Sequence, residues 1–289
     1  MNTMFTTLLA AAGARVEIPV DGSTGVWFKQ GATVISSGMR MTGAAISSGQ
    51  SQRIYNRGVA VSCFVGASGT QYVSSGGTAI DNVQSDGTVQ VYRGGVVSHA
   101  IKYAGPLNIL SGGYGKDLAI SGGGFVIYDG GSGDDITIQI PSSYIPVING
   151  HATNLTYYNT PGSRLEIRGT SAIVSNFALR GGVCWCFSRG AIQTGIISGG
   201  YLYVFNSGSA ADLTISSGGN ASVYTGATLS GAFVQSAAKL TVVNAGVVYN
   251  PVIASAGSLV VGSGGTALAV TSSAGAIIVV SDGGYIEYA

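Results

Sequence analysis

Three side chains in this 289-residue sequence recur at an interval that could bring them together for chemistry. Four residues on from regularly spaced glycines stand Asp81, His99 and Asp117. If successive turns of chain stack, a histidine would lie between two carboxylates, the composition of a general acid–base pair. Carboxylates flanking a cleft would also suit glycosidic cleavage. Thr194 and Asn250 occupy the same offset, however. A row of polar residues at a bend, hydrogen-bonding to the next turn of chain, accounts for all five. No catalytic residue is assigned on this basis.

A second cluster is Asp129 with Gly130-Gly131-Ser132-Gly133-Asp134-Asp135. Glycine–aspartate turns hold calcium in some parallel β-rolls, and three carboxylates would suit a hard cation. Such sites are built from several stacked copies, whereas this run occurs once, with Thr137 where an apolar residue is needed. It is read as a solvated turn, and no metal or other cofactor is expected. Cys184 and Cys186 stand two apart on one side of any strand, about 6.5 Å between Cα atoms. That is near the upper limit for a disulfide, so they and Cys63 are read as small buried hydrophobes.

The most individual stretch is 131–161, which holds Pro141, Pro146 and Pro161, three of the six prolines. Tyr144, His151, Tyr157 and Tyr158 are its candidate ligand contacts. The competing reading is an elaborated turn of chain that packs Ile138, Ile140 and Val147 inward. Elsewhere Trp27 and the many tyrosines, 15 in all, have the rings needed to stack on sugars or carry protein contacts.

The framework that must position these residues follows from composition. The chain is 46% hydrophobic and 9% charged, with 47 glycines and a net charge of +1. Such a chain can bury apolar surface and is not disordered. Near-zero net charge argues against a partner read through phosphates, and no apolar run is long enough for a membrane-spanning helix. Glycines fall at Gly58, Gly77, Gly95 and Gly113, with an interleaved series at Gly69, Gly87, Gly105 and Gly123. Both resume after residue 189, one of them as Gly190, Gly208, Gly226, Gly246, Gly265 and Gly284. Between them, runs such as Thr88-Val89-Gln90-Val91-Tyr92 alternate with the period of a half-buried strand.

A sandwich would vary its loop lengths, whereas a constant interval held over many copies is what stacked units require. The spacing therefore predicts an all-β parallel β-solenoid, a right-handed β-helix of about a dozen coils of 18–20 residues. Positive φ at corners accounts for the glycines. Like charges stacked at about 4.8 Å account for the scarcity of Asp, Glu, Lys and Arg. Residues 1–24 form an N-terminal cap, 25–130 repeats, 131–161 an insertion, and 162–289 repeats again. Met4 to Ala14 resembles a signal-peptide core but lacks a preceding basic residue. No comparable cap is expected at Ala289.

The run from Val73 to Val91, with Ser75-Gly76-Gly77 and its Ala…Val strands, resembles the strand–loop–strand repeat of AIDA-type autotransporter adhesin passengers. Ser-Gly-Gly returns at 111–113, 121–123, 198–200, 217–219 and 263–265. The resemblance covers roughly 30–130 and 180–289. It implies a bacterial cell-surface module for adhesion or self-association, not an enzyme. The implied partners are a host or bacterial surface protein or glycan, with no nucleic acid and no membrane insertion. The alternative is a glycan-binding or glycan-cleaving β-helix of the tail-spike or lyase kind.

Overall fold

The computed structural model describes residues 24–141, 143–158 and 163–289. These are all β with no helix, a parallel β-solenoid of about 13 turns at roughly 19-residue spacing. The proposed cap at 1–24 lies, apart from Thr24, outside the described residues. The chain divides into two compact units, Met1–Asp134 and Asp135–Ala289. Both are wound in the same way.

Each coil lays one strand in a first sheet and two short strands in a second. The coil containing Thr70–Val73 shows the pattern: that strand, then Thr78–Ile80 and Val83–Gln84. Thr70 pairs in parallel with Thr88, and Thr78 with Val96, each 18 residues on. In the second unit Tyr201 pairs with Asn220 and Asn220 with Lys239, each 19 on. Alternation along Thr70–Val73 buries Gln71 and Val73 and turns Thr70 and Tyr72 outward. Burying one face of every strand fills the bore with Val, Ile, Leu and Ala and fixes the register, since a one-residue slip would expose that whole face.

The glycines require a correction. Gly58, Gly77, Gly95 and Gly113, the regular series, do not have positive φ; it is the residue before that does, as at Gly76, Gly94 and Gly112. That preceding position also accepts Arg57, Arg189, Ser207 and Ala245 at positive φ. The regular glycine is needed for closeness: a Cβ on Gly77 or Gly113 would stand 2.5 Å from the carbonyl oxygen of Ile54 or Val91 in the coil before. Gly226 belongs to the positive-φ position, one residue out of step with its series.

Two segments differ from the expected repeats. Val26–Gln30 and Thr33–Gly38 form an antiparallel hairpin, and Val26–Gln30 also runs antiparallel to Gln50–Ile54. Parallel pairing between named strands begins at Arg40–Thr42. The hairpin covers a row of N–H and C=O groups that an open edge would leave unpaired. In 131–161 the winding does not stop. Val147–Ile148 pairs with Glu166–Ile167 in the first sheet, and His151–Thr153 with Ile173–Ser175 in the second. Ile138, Ile140 and Val147 are buried.

Candidate functional site

The second sheet bends at a residue with positive φ, and this corner explains the first candidate set. Asp81, His99, Asp117, Asp135, Asn154, Asn176, Asp212 and Asn250 all have φ between 48° and 54°. Asn, Asp and His are the side chains that best tolerate this region after glycine. The corner N–H donates outward to the following coil, from Asp81 to Ser98 O and from His99 to Lys116 O. Side chains continue the ladder. Asn154 Nδ2 donates to Asp135 Oδ1 at 2.9 Å, and Asn176 Nδ2 to Asn154 Oδ1 at 3.1 Å. Thr194 Oγ1 lies 3.1 Å from Asn176 Oδ1. His99 Nε2 is 3.2 Å from Asp117 Oδ2, but the imidazole is 58% exposed. An acid–base pair on an open corner has nothing to exclude water or orient a substrate.

The four residues chosen around the proline-rich stretch separate. Tyr144, His151 and Tyr158 are exposed. Tyr157 is fully buried, and its hydroxyl is 2.7 Å from Ser163 Oγ, so it cannot meet a ligand from solvent. The reason is the corner at Asn154. Strict alternation from His151 would put Tyr157 on the same side, but Thr153 and Asn154 both face outward and reverse the phase for Leu155 and Tyr157. Among the described residues no group of three or more His, Cys, Asp or Glu side chains could hold a metal ion. Cys63, Cys184 and Cys186 are free and buried. Burial pushes the Cys186 thiol up to about 12, and Cys184 also well upward, reinforced by Cys186.

The strongest site is one the sequence reading passed over. Along Val183–Phe187 the two cysteines point inward, so Val183, Trp185 and Phe187 point out. Parallel pairing sets Trp185 beside Tyr203 and Val183 beside Tyr201. Phe187 and Phe205 stack face to face at 5.1 Å with 4° between planes, and Trp185 meets Phe205 edge-on at 5.6 Å. Tyr201 stacks on Tyr203 at 6.2 Å, and Tyr203 lies 6.1 Å from Tyr224 in the following coil. Val183, Trp185, Tyr203, Phe205 and Tyr224 form an open groove of about 540 Å³, with Asn206 and Thr225 as its polar lining.

At one end Arg164 covers the indole of Trp185 at 3.9 Å. Arg164 Nη2 also pairs with Glu166 Oε1 at 2.7 Å, and Arg168 Nε approaches the other oxygen at 3.5 Å. Glu166 is 7% exposed, so its charge is answered from both sides and Trp185 is held from below. Phenol burial, with neighbouring Tyr224 and Tyr201, raises the Tyr203 pKa, and its hydroxyl stays a neutral donor. The signal was present in Trp185, Tyr203, Phe187, Phe205 and Tyr224, which fall at matching phases of successive repeats.

A parallel β-solenoid with polar corners and an aromatic strip is the class of fold to which this chain belongs. The structure is similar to that of the TibC-catalysed hyper-glycosylated TibA55-350 fragment, an autotransporter adhesin passenger. The TM-score is 0.77 at 25% sequence identity, over 86% of this chain and 91% of that one. No protein-family model matches the sequence, and no curated protein matches it.

Proposed function

We propose that this chain is an adhesin-like module displayed on a bacterial surface, which binds cell-surface protein or glycan, or copies of itself, through the outer faces of its coils. The observation that carries this is the in-register solenoid, shared over most of both chains with an adhesin passenger. The chemistry of the faces supports it. Outward positions include Thr70, Tyr72, Thr88, Asn108, Tyr201 and Ser222, which offer hydrogen bonds and rings on a backbone already ordered, so little entropy is lost on binding. A non-enzymatic role agrees with the exposed setting of His99 and Asp117.

The test uses the purified full chain, fluorescently labelled, on epithelial and bacterial cells, with clumping of bacteria that display it as the second readout. Saturable binding or clumping is the expected result. Indifference in every assay would remove the adhesion reading.

A further inference from the structure

The geometry points to the aromatic groove of the second unit as a binding site for a neutral oligosaccharide built of pyranose units. This rests on the adhesion reading and names the ligand of one of its surfaces.

Size argues first. A groove of about 540 Å³ falls within the roughly 300–1,000 Å³ of small-ligand sites. A stable protein partner needs about 20–30 residues on each side, far more than line this groove. Charge argues next. The lining residues are Val183, four aromatic rings, Asn206 and Thr225, none of them ionised at neutral pH. Arg164 and Arg168, which share Glu166, do not line the groove, so no charged side chain of the lining waits for a carboxylate, sulfate or phosphate.

What remains is a ligand with an apolar face and hydroxyls around its edge. Pyranose rings have that shape: their axial C–H groups make a flat face that packs on an aromatic ring. Tyr203, Tyr224, Asn206 and Thr225 supply donors and acceptors at the margin. The lining rings also repeat from coil to coil at centroid separations of 5.6 to 6.1 Å. A platform that recurs at a fixed interval suits a chain of similar flat units better than a single one. The platform is rigid, because Trp185 is clamped between Arg164 and Phe205 and its strand is paired on both sides.

The experiment titrates the full chain, in a Trp27→Phe background that leaves Trp185 as the sole indole, with pentamers of β-1,4-linked glucose, N-acetylglucosamine and galactose. A saturable change in emission with at least one pentamer is expected. By calorimetry, Trp185→Ala and Phe205→Ala should weaken that binding roughly tenfold or more, while Tyr72→Ala in the first unit leaves it unchanged. If the ring variants fail to fold, Asn206→Ala, an exposed side chain, should still weaken binding severalfold. No saturable change with any pentamer at millimolar concentration, or full affinity in a folded Trp185→Ala or in Asn206→Ala, would overturn the inference. Cell binding retained without sugar binding removes this inference and leaves adhesion standing; sugar binding without cell binding does the reverse.

Discussion

Lys102 is the side chain whose setting is hardest to reconcile with its chemistry. It follows the corner at His99, where the phase of alternation reverses, and so points into the bore with no exposed surface. Its amine donates to the carbonyl of Gly122, and Gln84 occupies the equivalent position one coil earlier. Desolvation lowers its pKa from 10.5 to about 8, so the fold prefers the neutral amine. Between pH 8 and 10.5 the unfolded chain binds more protons than the native one, and stability must therefore rise with pH across that window. Below pH 8 the native state carries the full penalty, about 3 kcal/mol. Lys102→Met should raise stability at pH 7 by about 2 kcal/mol, because the lost bond to Gly122 returns only about 1. The gain should vanish by pH 10.5. Denaturant midpoints measured against pH check this, and a parallel offset at every pH would contradict it. The thiols of Cys184 and Cys186, raised by burial, should resist a thiol reagent in the native protein at neutral pH and react only after unfolding. Residues like Lys102 and Tyr157 were illegible in sequence because period-2 counting does not register the extra outward residue at a corner.

Adjacent glycines in one turn do different work, and this gives the coil a test at the level of its elements. Gly218 has φ +79° with open space where a Cβ would go, whereas a Cβ on Gly219 would collide with the backbone carbonyl of Ile197. Alanine already occupies positive φ at Ala237, Ala245 and Ala256, so Gly218→Ala should cost about 1 kcal/mol. Gly219→Ala needs the neighbouring coil to give locally, as it does around Ala238 at the equivalent position one coil on, and should cost more, about 2 kcal/mol. Chemical denaturation of the two variants measures the order, and a larger loss at Gly218 would refute the assignment. The same contrast explains why the fold was readable. Close approach between coils favours glycine, with alanine taking the position at Ala172, Ala227 and Ala238, so that position prints an 18–19-residue period. The hairpin at 26–38 was not readable, because Gly31 and Gly49 happen to stand one period apart while the reversed strand, Val26–Gln30, lies just before them. The stretch at 131–161 looked like a departure because it breaks the glycine period and holds three of the six prolines. Its strands keep their pairing with the coils that follow.

Scarcity of charge is a property of the molecule at large and decides how it can meet a partner. Thirteen basic and twelve acidic residues in 289 leave a net charge of +1. Stacking penalises like charges in neighbouring coils, and some of the charges that do occur are answered locally. Examples are His99 with Asp117, and Arg164 and Arg168 with Glu166. Neither unit is given a strong field by such pairs, so long-range steering contributes little to encounter. Contact must rest on short-range hydrogen bonds and ring stacking, which salt barely screens. The aromatic groove was the part of this picture least visible in sequence, because each ring alone reads as ordinary strand composition. Only pairing of successive coils turns Trp185, Tyr203 and Tyr224 into one surface. Cell binding by the full chain should therefore change by less than about twofold as salt is raised from about 0.05 to 0.5 M. A protein held by several phosphate contacts would lose a thousandfold or so over a narrower range. Binding measured by flow cytometry across a salt series distinguishes the two. A steep loss would mean that exposed charges, Arg57, Arg93 and Arg189 among them, carry the interaction, and that the partner is an anionic surface instead of a neutral one.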